Sequence, residues 1–304
     1  MSLAVVVGAG GTGVATARLL ADAGHRVRLV TRGGGGPEHP AIERVAADAA
    51  DADRLSEVAR GAATLFNCAA PPYHTWPKAL PPLAEGLLTA AERTGADYVM
   101  LDNLYAYGPV EGPMTEDLPL APSSVKGRVR AEVWRQADAA HEAGRVRVTT
   151  VRASDFIGAG AYSVITVTVA PKVLAGKPAP VPADLDAPHS WTATRDAARA
   201  LVAVAQDERA WGRVWHAPTA APLSVRELAA RLARLAEVRE PRLRAMPGWL
   251  LRAGGLFSPV VRELPEMQYQ FQQPFVLDSS RIEETFGLHP TPLDDVLREM
   301  IAAG

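Results

Sequence analysis

A single cysteine, Cys68, stands in 304 residues. It has no partner for an internal disulfide, which points to a reducing compartment and to a core held by packing alone. A lone thiol without a redox motif reads as a packed core residue rather than a nucleophile. Excess charge of either sign is also missing. The formal net charge is −2, so no basic field draws the chain onto nucleic acid or an acidic membrane. Long apolar runs are absent: the most apolar later stretch, Val164 to Val169, is too short to cross a bilayer. The N-terminus enters a strand at once, at Leu3–Val7, with no basic segment or long apolar stretch ahead of it, which argues against a signal peptide. These absences predict a cytoplasmic protein with neither nucleic acid nor membrane as partner. His25, His39, His74, His141, His189, His216 and His289 are scattered without paired ligand spacing, so no metal site is expected. No Gly-x-Ser-x-Gly elbow supports a hydrolase, and there is no repeat or low-complexity tail.

Apolar residues make up 48% of the chain, enough to build one large α/β domain or a nucleotide domain with a smaller lobe. Strands and helices alternate from the start, the pattern of a Rossmann-type, doubly wound parallel sheet covered on both faces. Strands are expected at Ala4–Val7, Val27–Thr31, Val45–Ala47, Thr64–Cys68, Tyr98–Leu101 and Val146–Arg152. The intervening helices are expected at Val14–Ala23, Asp53–Arg60, Leu83–Arg93 and Ser123–Ala143. Past Arg152 the pattern loosens around Pro178, Pro180, Pro182 and Pro188. A helix at Arg195–Gln206, a strand at Arg213–His216 and a helix at Ser224–Ala236 follow, the last with Ser224 and Glu227 at capping-box spacing. Residues 1–158, with 190–218 returning to them, are read as a dinucleotide-binding domain. Residues 159–189 and 219–304 are read as a smaller C-terminal substrate lobe, which Trp249–Phe257 is expected to line unless it forms an interface.

The run Gly8-Ala9-Gly10-Gly11-Thr12-Gly13 follows a strand and opens a helix, the context in which a glycine motif binds a dinucleotide. Gly8 permits the tight turn, Gly10 lets backbone approach the pyrophosphate, and Gly13 allows close helix–strand packing. Gly11 and Thr12 complete the amide-rich helix mouth, whose partial positive charge suits phosphate. The second strand ends in Thr31-Arg32 and the run Gly33–Gly36, with no carboxylate to hold a ribose 2′-hydroxyl. Arg32 is suited to a 2′-phosphate, so NADP(H) is favoured over NAD(H). Asp48 is read either as a partner of the adenine amino group or as a helix-start cap.

Several further motifs carry a resemblance. They are Asn67-Cys68-Ala69-Ala70-Pro71, Asp102-Asn103-Leu104-Tyr105-Ala106-Tyr107-Gly108-Pro109, Met114-Thr115-Glu116-Asp117, Arg152-Ala153-Ser154-Asp155-Phe156-Ile157-Gly158, and His189-Ser190-Trp191-Thr192 leading to Arg195-Asp196. With the glycine turn, the chain resembles the NAD-dependent epimerase/dehydratase family, the extended and atypical short-chain dehydrogenase/reductases. The resemblance implies a Rossmann-type enzyme with an NAD(P) cofactor, and adds Ala69 and Ala70 to the cofactor-binding set. It also implies a Tyr with a Lys four residues later and a Ser or Thr on the substrate oxygen. None of the six tyrosines has that Lys. Registering the helix on Glu132 puts Ser124 in the Tyr position, Arg128 in the Lys position and Asn103 in the Ser/Thr position. Serine is too weak an acid to replace a phenol, and arginine does not give up its proton.

Tyr105, at the carboxyl edge of the sheet, is therefore the candidate proton donor or substrate clamp, with Asn103, Ser124, Arg128 and Lys126 around it. Tyr107 is read as structural. Lys126 lies two residues past Ser124, so a regular helix turns it away and into solvent. His74, Ser154, Asp155 and Tyr162 are lesser pocket candidates, with Asp155 open to pairing with Arg152. The leading reading is an NADPH-dependent reductase of a small carbonyl, imine or activated alkene. The alternatives are an epimerase, dehydratase or isomerase that retains its cofactor, and a non-catalytic NADP-binding sensor. A small-molecule substrate is the expected partner, and a homodimer is compatible with the chain.

Overall fold

The computed structural model describes residues 2–246 and 262–302. Strand β1 (Leu3–Val7), the run LAVVV, is buried along its whole length. A strand apolar on both faces is stable only inside a sheet that helices cover on each side. β4 (Thr64–Asn67) and β6 (Val148–Ala153) are buried in the same way. With β2 (Arg26–Thr31), β3 (Ile42–Ala46), β5 (Asp97–Asn103) and β10 (Val214–His216) they form a seven-stranded sheet, ordered β10-β6-β5-β4-β1-β2-β3. Every pairing is parallel. The winding direction reverses between β1 and β4, and ligands of such sheets bind in the crevice at the carboxyl ends there.

The two faces carry separate cores. α2 (Ala52–Ala59), α3 (Trp76–Thr94) and α4 (Val125–Glu142) cover one, against Val5, Leu65, Tyr98 and Met100. α1 (Gly11–Asp22) and α6 (Thr194–Val204) cover the other, against Val6, Phe66 and Val99. Successive strand residues thus alternate between faces.

The chain departs from the sequence expectation at three element starts. α1 begins at Gly11, inside the glycine run, because Gly10 serves as its N-cap. β3 begins at Ile42 and pairs with β2 from Val27 onward. α3 begins at Trp76 although Pro81 and Pro82 lie within it. Each proline removes a helical hydrogen bond, yet Trp76, Leu80 and Ala84, all on one helix face, are buried in the core and outweigh that loss.

A third apolar cluster, from Ile157 to Leu297 in sequence, lies apart from these two. It includes residues of α5 (Ala170–Leu174), of β8 (Ala179–Val181), which pairs with β11 (Leu243–Ala245), and of α7 (Val225–Leu235). Ser224 caps α7 in a reciprocal capping box with Glu227. A short ladder, β7 (Asp155–Ile157) with β9 (Trp191–Ala193), leads from the sheet edge to this cluster. The Trp249–Phe257 stretch lies outside the described residues. Among those described, no helix is long and apolar enough to cross a membrane.

Candidate active site

The glycine run is shaped by what a side chain would strike. Gly8 has φ +102°, and a Cβ there would lie 2.7 Å from the Cys68 carbonyl oxygen. A Cβ on Gly13 would lie 2.0 Å from the Gly8 carbonyl oxygen, and one on Gly11 would lie 2.5 Å from that of Gly160. Gly10, by contrast, faces open space. No side chain caps α1 and no acidic residue stands in its first turn. The first intrahelical bond from this turn is Val14 N–H to the Gly10 carbonyl, at 2.9 Å. The amides of Gly11, Thr12 and Gly13 therefore remain available, at the positive end of the helix. A cradle closed to side chains and open above Gly10 fits the pyrophosphate of a dinucleotide.

Around this mouth, Ala69 packs against Gly8 and donates its N–H to Asn67 Oδ1 at 3.3 Å, while Ala70 is exposed. Burial pushes the Cys68 thiol up to about 12 despite a hydrogen bond with Thr16, so it carries no thiolate at neutral pH. Arg32 is exposed at the end of β2. Asp48 is also exposed, and its Oδ1 accepts the Ala50 N–H at 3.0 Å. The cap of α2 is Asp51 instead, which takes the Arg54 N–H.

The first turn of α4 is filled by the protein itself. Ser124 is buried, and its Oγ accepts the Gly127 N–H at 2.9 Å as the N-cap. Arg128 is exposed and, among the described residues, reaches only the Ser123 carbonyl, at 3.4 Å. Lys126, expected in solvent, is fully buried. Its Nζ pairs with Glu263 and, at 2.7 Å, with Glu266, while its backbone N–H donates to Glu266 Oε1 at 2.9 Å. Helical spacing defines faces within α4 but carries no information on a segment 140 residues later that packs over it.

The polar centre of the site gathers at the carboxyl ends of β4, β5 and β6. Tyr105 follows β5, and its N–H donates to Asn103 Oδ1 at 3.1 Å, so that oxygen is held by the local turn. Burial and the Asp155 carboxylate push the Tyr105 phenol up to about 12, while hydrogen bonds from Tyr73 and Gln270 pull the other way. Tyr105 is thus a protonated donor at neutral pH rather than a phenolate base. Tyr73, which the sequence reading passed over, has its phenol raised further by burial and by Tyr105. Its ring lies 4.7 Å from Lys126 Nζ. The usable sequence signal for Tyr73 was its place just past β4, at the same sheet edge.

Asp155 pairs with His189 Nε2 at 2.9 Å, not with Arg152. Arg152 lies opposite Asp102 on the neighbouring strand and joins it and Arg130 in a buried trio, at 3.6 and 3.4 Å from the carboxylate. The guanidinium of Arg130 stacks on Trp76 and that of Arg152 on Tyr107. Tyr107 is buried, with its hydroxyl 2.9 Å from His216 Nε2. Because His216 Nδ1 faces the Asp278 carbonyl, Nε2 is the accepting nitrogen and Tyr107 donates. Burial lowers His216 to about 3, which keeps it neutral. Ser154 is buried with no partner for Oγ among the described residues, and His74 and Tyr162 are exposed.

The description "NAD dependent epimerase/dehydratase family" fits residues 4–216, a span that includes the glycine mouth, Tyr105, α4 and Asp155. The chain belongs to this family. Solved structures that share its fold include the enzyme WbmH of Bordetella bronchiseptica in complex with NAD+. That match has 19% identity and a TM-score of 0.78 and covers 100% of this chain and 98% of that one. The dTDP-glucose 4,6-dehydratase of Bacillus anthracis in complex with NAD matches at 17% identity and TM-score 0.78, over 100% and 96% of the two chains. The UDP-glucuronic acid 4-epimerase of Bacillus cereus, in complex with UDP-glucuronic acid and NAD, matches at 17% and 0.78, over 100% and 98%. At these identities the likeness is one of fold. No curated protein matches the chain. In this chain Ser124 caps α4 and Arg128 faces solvent.

Proposed function

We propose that this chain is an enzyme that keeps a nicotinamide dinucleotide bound in the Gly8–Gly13 mouth. In this reading it epimerises or dehydrates a small hydroxylated substrate. The observation that carries it is the cradle itself: Gly8 and Gly13 admit no side chain, and Gly10 leaves open the space a pyrophosphate needs. Family membership and the NAD held by proteins of like fold support it. These relatives favour the cofactor-retaining reading over the net reduction of a small carbonyl that the sequence put first.

The dinucleotide, when bound, supplies a hydride acceptor that is restored within one turnover. The amides of Gly11, Thr12 and Gly13 hold its phosphates, with Ala69 and Ala70 alongside. Arg32 is assigned to the ribose 2′-phosphate of NADP(H), and Asp48 to the adenine edge. The substrate hydroxyl loses its proton to solvent when the substrate is oxidised. When it is reduced again Tyr105 donates the proton from its own hydroxyl to that oxygen, which the Asn103 amide nitrogen helps to hold, and regains one from solvent. Lys126 positions Tyr73, whose ring its Nζ faces. Ser124 and Arg128 have no part in proton transfer. Residues 159–189 and 219–304 form the substrate lobe, and the chain works in the cytoplasm.

A second reading, an NADPH-dependent reductase of a carbonyl, imine or activated alkene, is favoured by one observation. Arg32 is exposed at the end of β2 with no acidic neighbour there. Calorimetry of the purified chain with NAD(H) and NADP(H) tests the site: no heat from any of them removes both readings. Substrate turnover without net change in nicotinamide absorbance supports the epimerase/dehydratase reading, and steady consumption of NADPH replaces it with the reductase. Arg32→Glu is expected to weaken NADP(H) at least tenfold, about 1.4 kcal/mol, and to leave NAD(H) unchanged.

A further inference from the structure

We propose that the loop from Gly158 to Tyr162 is a second wall of the dinucleotide site, and that the Tyr162 ring covers the pyrophosphate and nicotinamide ribose of the bound cofactor. The inference rests on the dinucleotide reading given above and adds to it a binding residue outside the glycine mouth. The loop follows β6 and β7 and meets the first turn of α1. A Cβ on Gly11 would lie 2.5 Å from the Gly160 carbonyl oxygen, and one on Gly160, whose φ is +67°, would lie 3.1 Å from the Gly11 Cα. Two backbones thus touch where neither can carry a side chain unless the other moves.

Thr194, in the first turn of α6, fastens the two together. Its hydroxyl donates to the Ala159 carbonyl at 3.1 Å, and its methyl group lies 3.1 Å from where a Gly11 Cβ would be. One side chain therefore touches both the loop and the glycine mouth. In the sheet, β5 and β4 lie between β6 and β1. A loop that leaves β6 and reaches α1 thus runs beside the interval between the mouth and Tyr105, at the end of β5. The nicotinamide half of a dinucleotide anchored over Gly10 and directed towards Tyr105 lies along that interval.

Tyr162 is held by its backbone and left out by its side chain. Thr166 Oγ1 donates to the Ala161 carbonyl and accepts the Ser163 N–H, both at 2.9 Å, so the chain is tied on either side of Tyr162. Of the six tyrosines, all among the described residues, only Tyr162 is exposed, at 77%. It lies two residues past Gly160, so the two Cα atoms are at most about 7 Å apart, a span that a tyrosine side chain bridges. A tyrosine gains by burying its ring while its hydroxyl stays wet. A ribose face beside the mouth offers that ring its cover, and the hydroxyl remains at the rim. Covering the cofactor in this way slows its release, as a cycle that restores its own dinucleotide requires.

Nitration of the unaltered full chain by tetranitromethane, read peptide by peptide in a mass spectrometer, tests the placement without a substrate. The reagent attacks phenolates, and burial pushes up the phenols of the other five tyrosines, so Tyr162 is the residue that reacts. NAD+ or NADP+ at ten times its Kd should slow nitration of Tyr162 about tenfold, in step with occupancy. AMP, which fills only the adenosine half of the site, should leave the rate unchanged. An unprotected Tyr162 with dinucleotide bound, or equal protection by AMP, overturns the proposal. Stopped-flow release of NADH or NADPH, followed by nicotinamide fluorescence, supplies a second measurement. Tyr162→Ala should speed release about tenfold, and Tyr162→Phe, which keeps the ring, should stay within about threefold of the unaltered protein. Unchanged release in Tyr162→Ala overturns the proposal. Calorimetry separates the two levels: no heat from any dinucleotide removes the reading beneath this one, whereas heat with an unprotected Tyr162 removes only the second wall.

Discussion

The first turns of α1 and α4 both begin at the carboxyl edge of the sheet, yet they are finished in opposite ways. At α1 three glycines are enforced by backbone contacts under 3 Å, and the helix mouth carries neither cap nor acidic residue. At α4 Ser124 caps the helix, Glu266 accepts the next amide, and Lys126 is buried between two carboxylates. One mouth is kept open to an outside anion and the other is closed by the chain's own. The difference explains how a family member can lack the Tyr/Lys helix motif and still keep its nucleotide cradle. α4 here holds the C-terminal segment in place, and the proposed proton donor, Tyr105, stands just past β5.

Substitutions at the two helix starts break or sharpen that contrast. The largest effect is expected for Gly13→Ala, whose Cβ would sit 2.0 Å from the Gly8 carbonyl oxygen. Backbone cannot yield there as a flexible side chain would, so unfolding should show a loss of about 3 kcal/mol or more. Dinucleotide heat in calorimetry should vanish with it.

Lys126→Met should cost about 2 kcal/mol in denaturant unfolding. The loss lies below that of a wholly buried pair because Glu263 and Glu266 keep 24% of their side-chain surface exposed. The same contact has a pH signature. Burial raises Glu266, but the hydrogen bonds and charge of Lys126 outweigh it and hold the carboxyl below its usual 4.5. A lowered folded-state value means that the stabilisation is present above pH 4.5 and is lost as pH falls through that lower value. Protection of the amides across residues 262–267, taken relative to the intrinsic exchange rate at each pH, should therefore fall in acid, and Lys126→Met should show the lower protection at neutral pH already.

Ser124→Ala should cost about 1 kcal/mol, the value of a lost N-cap, with dinucleotide affinity unchanged. A large fall in affinity would return Ser124 to the site. The smallest stability effect is expected for Gly10→Ala, within about 0.5 kcal/mol, because its Cβ would meet nothing. Its affinity for the dinucleotide should nevertheless fall at least tenfold. Unchanged affinity would mean that the phosphates do not approach over Gly10, and the contrast between the two helix mouths would lose its functional meaning.

The alternating strands and helices, the parallel sheet and the family were legible in the sequence because each rests on short-range pattern. Buried runs such as LAVVV, glycines at fixed spacing after a strand, and the Ser224–Glu227 capping box need only neighbours within a turn or two. The start of α3 was not legible, since Pro81 and Pro82 argue locally for a break. Only the burial of Trp76 and Leu80 against the sheet overrules them. Lys126 failed for a related reason: a helix wheel marks a face without saying what covers it.

From the sequence alone one could derive a doubly wound nucleotide fold, the glycine mouth of its first helix, and the lack of the family's Tyr/Lys motif. Local periodicity and backbone sterics act over a few residues and are written directly in residue order. The company of Tyr73, Tyr105, Asp155, His189 and Gln270 was decided only by the tertiary structure. Their hydrogen bonds and shifted phenols depend on distances across elements up to 197 residues apart in the chain. Desolvation and Coulomb forces act through space, and no spacing rule along the chain records them.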